Sequence, residues 1–348
     1  MRNRLLNTLL IAAIGIVSLN SCTGMLYTSI DVLRPAKLSF DKNTENLLIV
    51  NNAAVQPSTV GHQTWLLNDS ERTVDVATDS LAMLMVSALS EEIAAKNFFA
   101  SNQLIYENQN TSSDYKIAKP LRSYQVATFS SNNKSDIVLS LNKLNSTSLL
   151  DEFYYQDYMY ALSLNAIYDS EWSLQYPDRA QIDTVQFTDT IYWGNASASR
   201  RLLFENFPRR SDALKNGALE VGRKMVDRFI PYWEECDRYL FDLKDKQMKQ
   251  GMDSVYNKKW TGAITIWENA LPKFKSGKEV AYTSNNLAVA YEITGNIDKA
   301  LEYINAAIET YSKKASSSDK HLIQMRLYQN DLLLRRKEMP LIEKQLGK

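Results

Sequence analysis

The most specific chemistry in the 348-residue sequence gathers at Cys22. Arg2 and Arg4 precede an apolar run from Leu9 to Val17, and Leu19-Asn20-Ser21-Cys22 follows it. A basic start, a short apolar core and a processing site in that order are the parts of an export signal. Leucine three places before a cysteine, with a small residue directly before it, is the pattern a lipoprotein signal peptidase reads. The expectation is cleavage after Ser21, which makes 1–21 a signal peptide, and lipid attachment at the Cys22 thiol. The apolar core is shorter than the ~20 residues that cross a bilayer, so a permanent membrane helix is disfavoured. Several acyl chains, each buried CH₂ adding ~0.8 kcal/mol, make the anchor stable.

Elsewhere the groups needed for catalysis do not assemble. His62 and His321 are the two histidines and fall in different expected domains, so no zinc set at close spacing is offered. A Ser-His-Asp triad lacks its G-x-S-x-G elbow. Ser276-Gly277-Lys278 is not a phosphate loop, because the upstream glycine is missing and Glu279 stands where a magnesium-holding hydroxyl would be. Asp151-Glu152 and Glu234-Glu235 are neighbouring carboxylates that point different ways and read as solvated surface. An acid–base pair would need carboxyls facing each other across ~5–9 Å. Cys236 reads as a small apolar residue on a helix beyond Trp233. No catalytic residue, metal site or cofactor is expected, and a non-enzymatic role follows.

Composition narrows the partners. Lys+Arg and Asp+Glu are both 40, so the chain has no basic excess of the kind that duplex binding requires. With Cys22 lipidated, one cysteine remains and no intramolecular disulfide can form. The 327 residues left after processing (348 − 21) suffice for two domains. Thr23, not an aspartate, follows Cys22; by resemblance to lipoprotein sorting this implies the outer membrane. No acidic run follows to mark export, so a periplasm-facing position is expected.

The elements that would carry these groups follow from periodicity. Residues 22–46 read as a lipidated tether with a first strand at 29–33, and 47–243 as an α+β domain. Leu47 to Asn52 is a short apolar run closed by turn formers, hence a buried strand. Leu81, Leu84, Met85, Ala88, Leu89 and Ile93 recur at helical spacing over 79–96. Further strands are expected at 104–106 and 137–141. From Tyr158 to Tyr168 every second residue is apolar, and Val185, Phe187, Ile191 and Trp193 alternate with Gln186, Thr188 and Thr190, which predicts an antiparallel hairpin around Pro177-Asp178. Ser211 reads as the N-cap of a helix that Pro231 kinks or restarts. The resulting order suggests helices packed on a mixed or antiparallel sheet. Phe153-Tyr154-Tyr155 with Tyr158 and Tyr160 is the densest aromatic stretch. It reads as cross-strand packing, or alternatively as a platform for a glycan or small ligand.

Residues 244–348 carry a repeat. Gly251, Trp260, Ala263, Ile264, Trp267, Ala270 and Leu271 stand 37 positions before Ala288, Ile297, Ala300, Leu301, Ile304, Ala307 and Ile308. Tyr291 and Gly295 complete the pattern in the second copy. This resembles the tetratricopeptide repeat, and an amphipathic helix over 320–337 would cap the pair. The resemblance implies a concave face built from the first helix of each copy, lined by Met248, Met252, Tyr256, Tyr282, Asn285, Val289 and Glu292. That face either holds an unknown protein partner in the cell envelope or packs against the neighbouring domain.

The chain beyond the signal also resembles a family of lipoproteins of unknown function from anaerobic Gram-negative bacteria. Leu33-Arg34-Pro35-Ala36, Ile49-Val50-Asn51-Asn52, Phe229-Ile230-Pro231-Tyr232-Trp233 and Trp260…Ala263…Trp267 carry the likeness. It implies an N-terminal α+β domain followed by a C-terminal repeat pair, and no activity.

Overall fold

The computed structural model describes residues 25–41, 43–67, 69–155 and 159–347; the expected export signal over 1–21, Cys22 and Tyr158 lie outside the described residues. The chain is a mixed α+β protein with its large sheet toward the N-terminus and a helical region toward the C-terminus. Contacts divide it into two units, Pro35–Tyr232 with Glu343–Lys348, and Met1–Arg34 with Trp233–Ile342.

In the sheet unit, β2 (Asn46–Asn51) lies between β5 (Ser101–Ile105) and the first part of β6 (Ile137–Tyr155), parallel to both. Leu47 to Val50 are all inaccessible to solvent. A parallel strand covered on both faces needs such a continuous apolar run. Helix α1 (Leu81–Lys96) leads into β5 and joins the core of Leu47 and Ile49. Helix α2 (Ser123–Asn133) connects β5 to β6 and places Val126 in a smaller core with Leu48 and Val50, on the opposite face. Asn97 ends α1 in the left-handed region at φ 51°, a conformation that asparagine tolerates.

Strand β6 pairs parallel with β3 (His62–Trp65) further along the same edge, and antiparallel with β7 (Met159–Gln175) along the other. β4 (Arg72–Thr73) closes the β3 side, and β8 (Ile182–Ser197) completes the hairpin with β7. A register shift between Leu141 and Lys143 changes which parity of β6 faces the main core. Ile137, Leu139 and Leu141 face it before the bulge, and Leu144 after it. On β7, Leu162, Leu164, Ala166 and Tyr168 are buried, as the alternation predicts. Short α3 (Arg200–Asn206) leads to α4 (Arg210–Lys224), whose Leu214, Ala218 and Val221 pack in the main core. Its N-cap is Arg209, two residues before the expected Ser211. One further turn, α5 (Val226–Phe229), ends before Pro231, and a strand follows instead of a restarted helix.

That strand is β9 (Tyr232–Phe241), and it pairs with β1 (Met25–Arg34). Cys236 therefore sits half-buried on a strand, not on a helix. From Trp233 onward β9 belongs, with β1, to the helical unit. There α6 (Lys246–Tyr256) packs on α7 (Trp260–Ala270), α7 on α8 (Gly277–Ile293), and α8 on α9 (Ile297–Ser312). The last helix, α10 (Lys320–Gln345), adds Met325, Tyr328 and Leu332 to their common core. The two sequence copies are tuned to each other by volume. A Cβ at Gly251 would lie 2.0 Å from Nε1 of Trp267, so the large indole requires glycine. In the second copy Ile304 replaces the indole and Ala288 fits.

Candidate functional site: a helical groove and its own strand

Six of the seven residues expected to line an open concave face are buried: Met248, Met252, Tyr282, Asn285, Val289 and Glu292. Tyr256 alone is exposed, at 65%. This corrects the expectation of an empty groove. The chain's own β9 and neighbouring helices cover these residues.

The covering is specific. Helix α8 carries Asn285 and Asn286 side by side, both inaccessible. Asn286 accepts from the Phe241 backbone N–H at 2.7 Å and donates to the Phe241 carbonyl at 2.8 Å. Asn285 donates to the Tyr239 carbonyl at 3.1 Å. These amides satisfy backbone groups that β9 would otherwise bury unpaired. The Oδ1 of Asn285 and the hydroxyl of Tyr239 are buried without a hydrogen-bond partner among the described residues. Phe241 stacks on Tyr282, ring centroids 3.7 Å apart, and the Tyr282 hydroxyl meets His321 Nδ1 at 2.5 Å.

A charged lock seats the strand. Arg238 of β9 donates to both oxygens of Glu292, from Nε at 2.7 Å and Nη2 at 2.9 Å. Tyr328 and Arg335 of α10 donate to the same carboxylate, each at 2.8 Å. Burial pushes the Glu292 carboxyl up, but Arg238 above all, with Tyr328 and Arg335, outweighs it and holds the group below the usual carboxylate range. Burial likewise opposes the charge on Arg238, and Glu292 more than restores it. A second pair of contacts ties β1 to this unit: Arg34 meets Glu234 at 2.7 Å and Glu338 at 3.0 Å.

The groove is not filled along its whole length. A trough of about 590 Å³ remains beside β1, between Leu26–Asp31 and the helical wall of Tyr256, Lys258 and Trp260, with Glu292 and Arg335 at its base. Among the described residues the β1–β9 sheet has only these two strands.

The remaining sequence candidates fall elsewhere. His62 is fully buried on β3, its Nδ1 2.9 Å from the Ser148 hydroxyl. Its Nε2 has no partner among the described residues. Burial and the nearby Arg210 charge push its pKa down to about 4, so it is neutral at physiological pH. Ser148 is thus its one hydrogen-bond partner among the described residues, and the ring is closed off from solvent. Glu152, expected on the surface, is buried instead and takes Arg200 at 2.5 and 2.8 Å. Glu234 is likewise paired, and Glu235 stays exposed. Phe153, Tyr154 and Tyr155 are exposed at the end of β6, with Tyr154 against its cross-strand partner Tyr160 at 5.4 Å between centroids. That contact is the cross-strand packing of the aromatic stretch. Among the described residues no group of three or more His, Cys, Asp or Glu side chains could hold a metal ion.

Two family models match the chain. Residues 44–241 match the domain of unknown function DUF8603, and residues 249–333 match the domain of unknown function DUF6340. No curated protein matches. Among solved structures, one described as the crystal structure of an uncharacterized protein is 13% identical, covers 55% of this chain and 97% of its own, and has a TM-score of 0.25.

Proposed function

The chain belongs to the DUF8603 family, whose model spans residues 44–241, and we propose that it serves there as a non-enzymatic, lipid-anchored envelope protein that holds an extended segment of a protein partner. The anchor is Cys22; Thr23 after it favours the outer membrane, and the lack of an acidic run behind it favours the periplasm-facing leaflet. The binding element is the helical unit, whose paired helices are tetratricopeptide-like in the alternation of small and large residues between them, at an offset of 37 residues against the usual ~34.

One observation carries the binding reading: the groove recognises a strand by its backbone. Asn285 and Asn286 bond to main-chain groups of β9 and would serve any sequence in that conformation. Adding a strand to an exposed sheet edge uses the same physics, with main-chain hydrogen bonds giving affinity and side-chain pockets giving specificity. The trough beside β1 offers such a position, with Tyr256 and Trp260 as aromatic walls. An edge left without a third strand is otherwise a liability for pairing with other chains.

Tyr256→Asp with Trp260→Asp tests the site in crosslinked envelopes. The expected result is loss of a partner that the parent chain recovers and that Tyr154→Asp leaves in place. Identical recovery from all three chains would remove the trough from consideration. The anchor is tested separately: Cys22→Ala should abolish acyl labelling and release the protein from membranes.

A further inference from the structure

The two loops at one end of the helical unit carry an unusual charge. Residues 271–279 and 313–320 contain Lys273, Lys275, Lys278, Lys313, Lys314 and Lys320 against two acids, Glu279 and Asp319, in a chain whose formal net charge is zero. Between the loops lies a pocket of about 390 Å³, lined by Gly277, Lys278, Tyr311, Lys313, Lys314 and Asp319. Lys313 reaches Glu309 at 3.4 Å, and Lys278 lies over the Tyr282 ring at 5.3 Å. Among the described residues neither Lys278 nor Lys314 has an ion-pair partner within 4.0 Å. Ammonium groups around one cavity repel one another and gain from a shared anion.

We propose that this pocket binds a phosphate monoester group. Lys278 and Lys314, the two lining lysines without an ion-pair partner, suit a dianion better than a single carboxylate, and lysine acts as a compact point charge toward phosphate. Lys278 in the first turn of α8 and Lys314 in the loop after α9 supply the charge here, so the missing glycine and hydroxyl of a phosphate loop do not matter. The walls are largely apolar: the Tyr311 ring, the lysine stems, Ala315 and the Thr310 methyl. They fit an apolar group attached to the phosphate, as in a lipid headgroup with its chains, and a free phosphate would leave them uncovered. Gly277 lines the pocket, and a Cβ built there meets only the Thr310 methyl, at 3.6 Å, so a larger side chain is accommodated at this position without a backbone clash. This site is separate from the trough beside β1 and does not depend on the partner reading.

Titration calorimetry on the full chain in non-ionic detergent, with inorganic phosphate and with dihexanoylphosphatidic acid as probes, tests the assignment. The variants are Lys278→Gln with Lys314→Gln, which removes charge, and Gly277→Leu, which fills the pocket and keeps every charge. Binding of the phosphatidic acid at least tenfold tighter than phosphate, with at least a tenfold loss in both variants, supports a lipid headgroup. Equal affinity for the two probes with the same losses supports a free phosphate. Binding of neither probe, or binding that Gly277→Leu leaves intact, overturns the proposal, since the latter is surface attraction without a pocket. Circular dichroism of Gly277→Leu checks folding.

Discussion

Glu292→Gln should unlock the strand from the groove at a measurable cost. The carboxylate is completely buried and takes four hydrogen bonds, two from Arg238 and one each from Tyr328 and Arg335. Glutamine keeps the shape but removes the charge, and its amide turns donor groups toward Arg238. Arg238, with 5% of its side chain exposed, then remains as a buried cation whose main counter-charge is gone. Removing one partner of a buried ion pair typically costs ~3–5 kcal/mol. With a urea m-value of about 2 kcal/mol/M, the unfolding midpoint should fall by about 2 M. The second half of the test is the pair Arg238→Gln with Glu292→Gln. Once both charges are absent the stranded cation disappears, so the double variant should lose less than the sum of the singles, by ~1 kcal/mol or more. The acid limb gives a third readout. The Glu292 carboxyl is held below its usual 4.5, so its contribution is complete above that value and is lost as pH falls through the lower folded value. Glu292→Gln should lack that part of the acid sensitivity. Urea unfolding followed by far-UV circular dichroism at pH 7 and below pH 4.5 measures all three. A midpoint shift under ~0.5 M, or strict additivity, would show that the pair does not hold β9, and the account of the groove would fail.

Gly251→Ala should destabilise the helical unit, because the new methyl meets three atoms of a fully buried indole at 2.0, 2.4 and 2.6 Å. Overpacking of this kind costs ~1–3 kcal/mol, and adding Trp267→Ile, the combination found in the second copy, should recover part of the loss in thermal unfolding. His62→Gln should flatten the pH dependence of stability between 6.5 and about 4: the native ring stays neutral in that window while the unfolded chain takes up a proton, so the parent protein loses stability as pH falls through it. Equal acid profiles for parent and variant over that range would contradict the buried neutral ring.

Legibility of the sequence followed how closely each segment obeyed a single period. The β7–β8 hairpin is readable because apolar residues alternate from Leu162 to Tyr168 and, with Asp189 as the one polar exception, from Val185 to Trp193. β6 was seen only over 137–141, because the bulge at Leu141/Lys143 switches its inward parity and breaks the pattern midway. α2 carries few apolar residues and buries only Val126 and Ser130, so it gave little periodic signal. β9 was missed outright. Its run Glu234-Glu235-Cys236-Asp237-Arg238 looks like solvent-facing surface, and no local rule reveals that Arg238 has a buried glutamate waiting 54 residues away.

That same failure explains the groove. Charge reads as surface unless its partner is known, and here the partner lies on another element. The sequence did contain a usable sign in α8: Asn285-Asn286 in mid-helix, where asparagine propagates a helix poorly and prefers caps and turns. Two such residues kept inside a buried helix must be satisfying something, and what they satisfy is the backbone of β9. A face expected to be empty is thus half-occupied by the chain's own strand. The trough beside β1 is the part of it still open. If a partner binds there, it meets a groove whose recognition of extended backbone is already built and in use. The free energy of ordering Asn285, Asn286 and the Arg238–Glu292 lock has then been met on folding, which leaves only the partner's own ordering to oppose association.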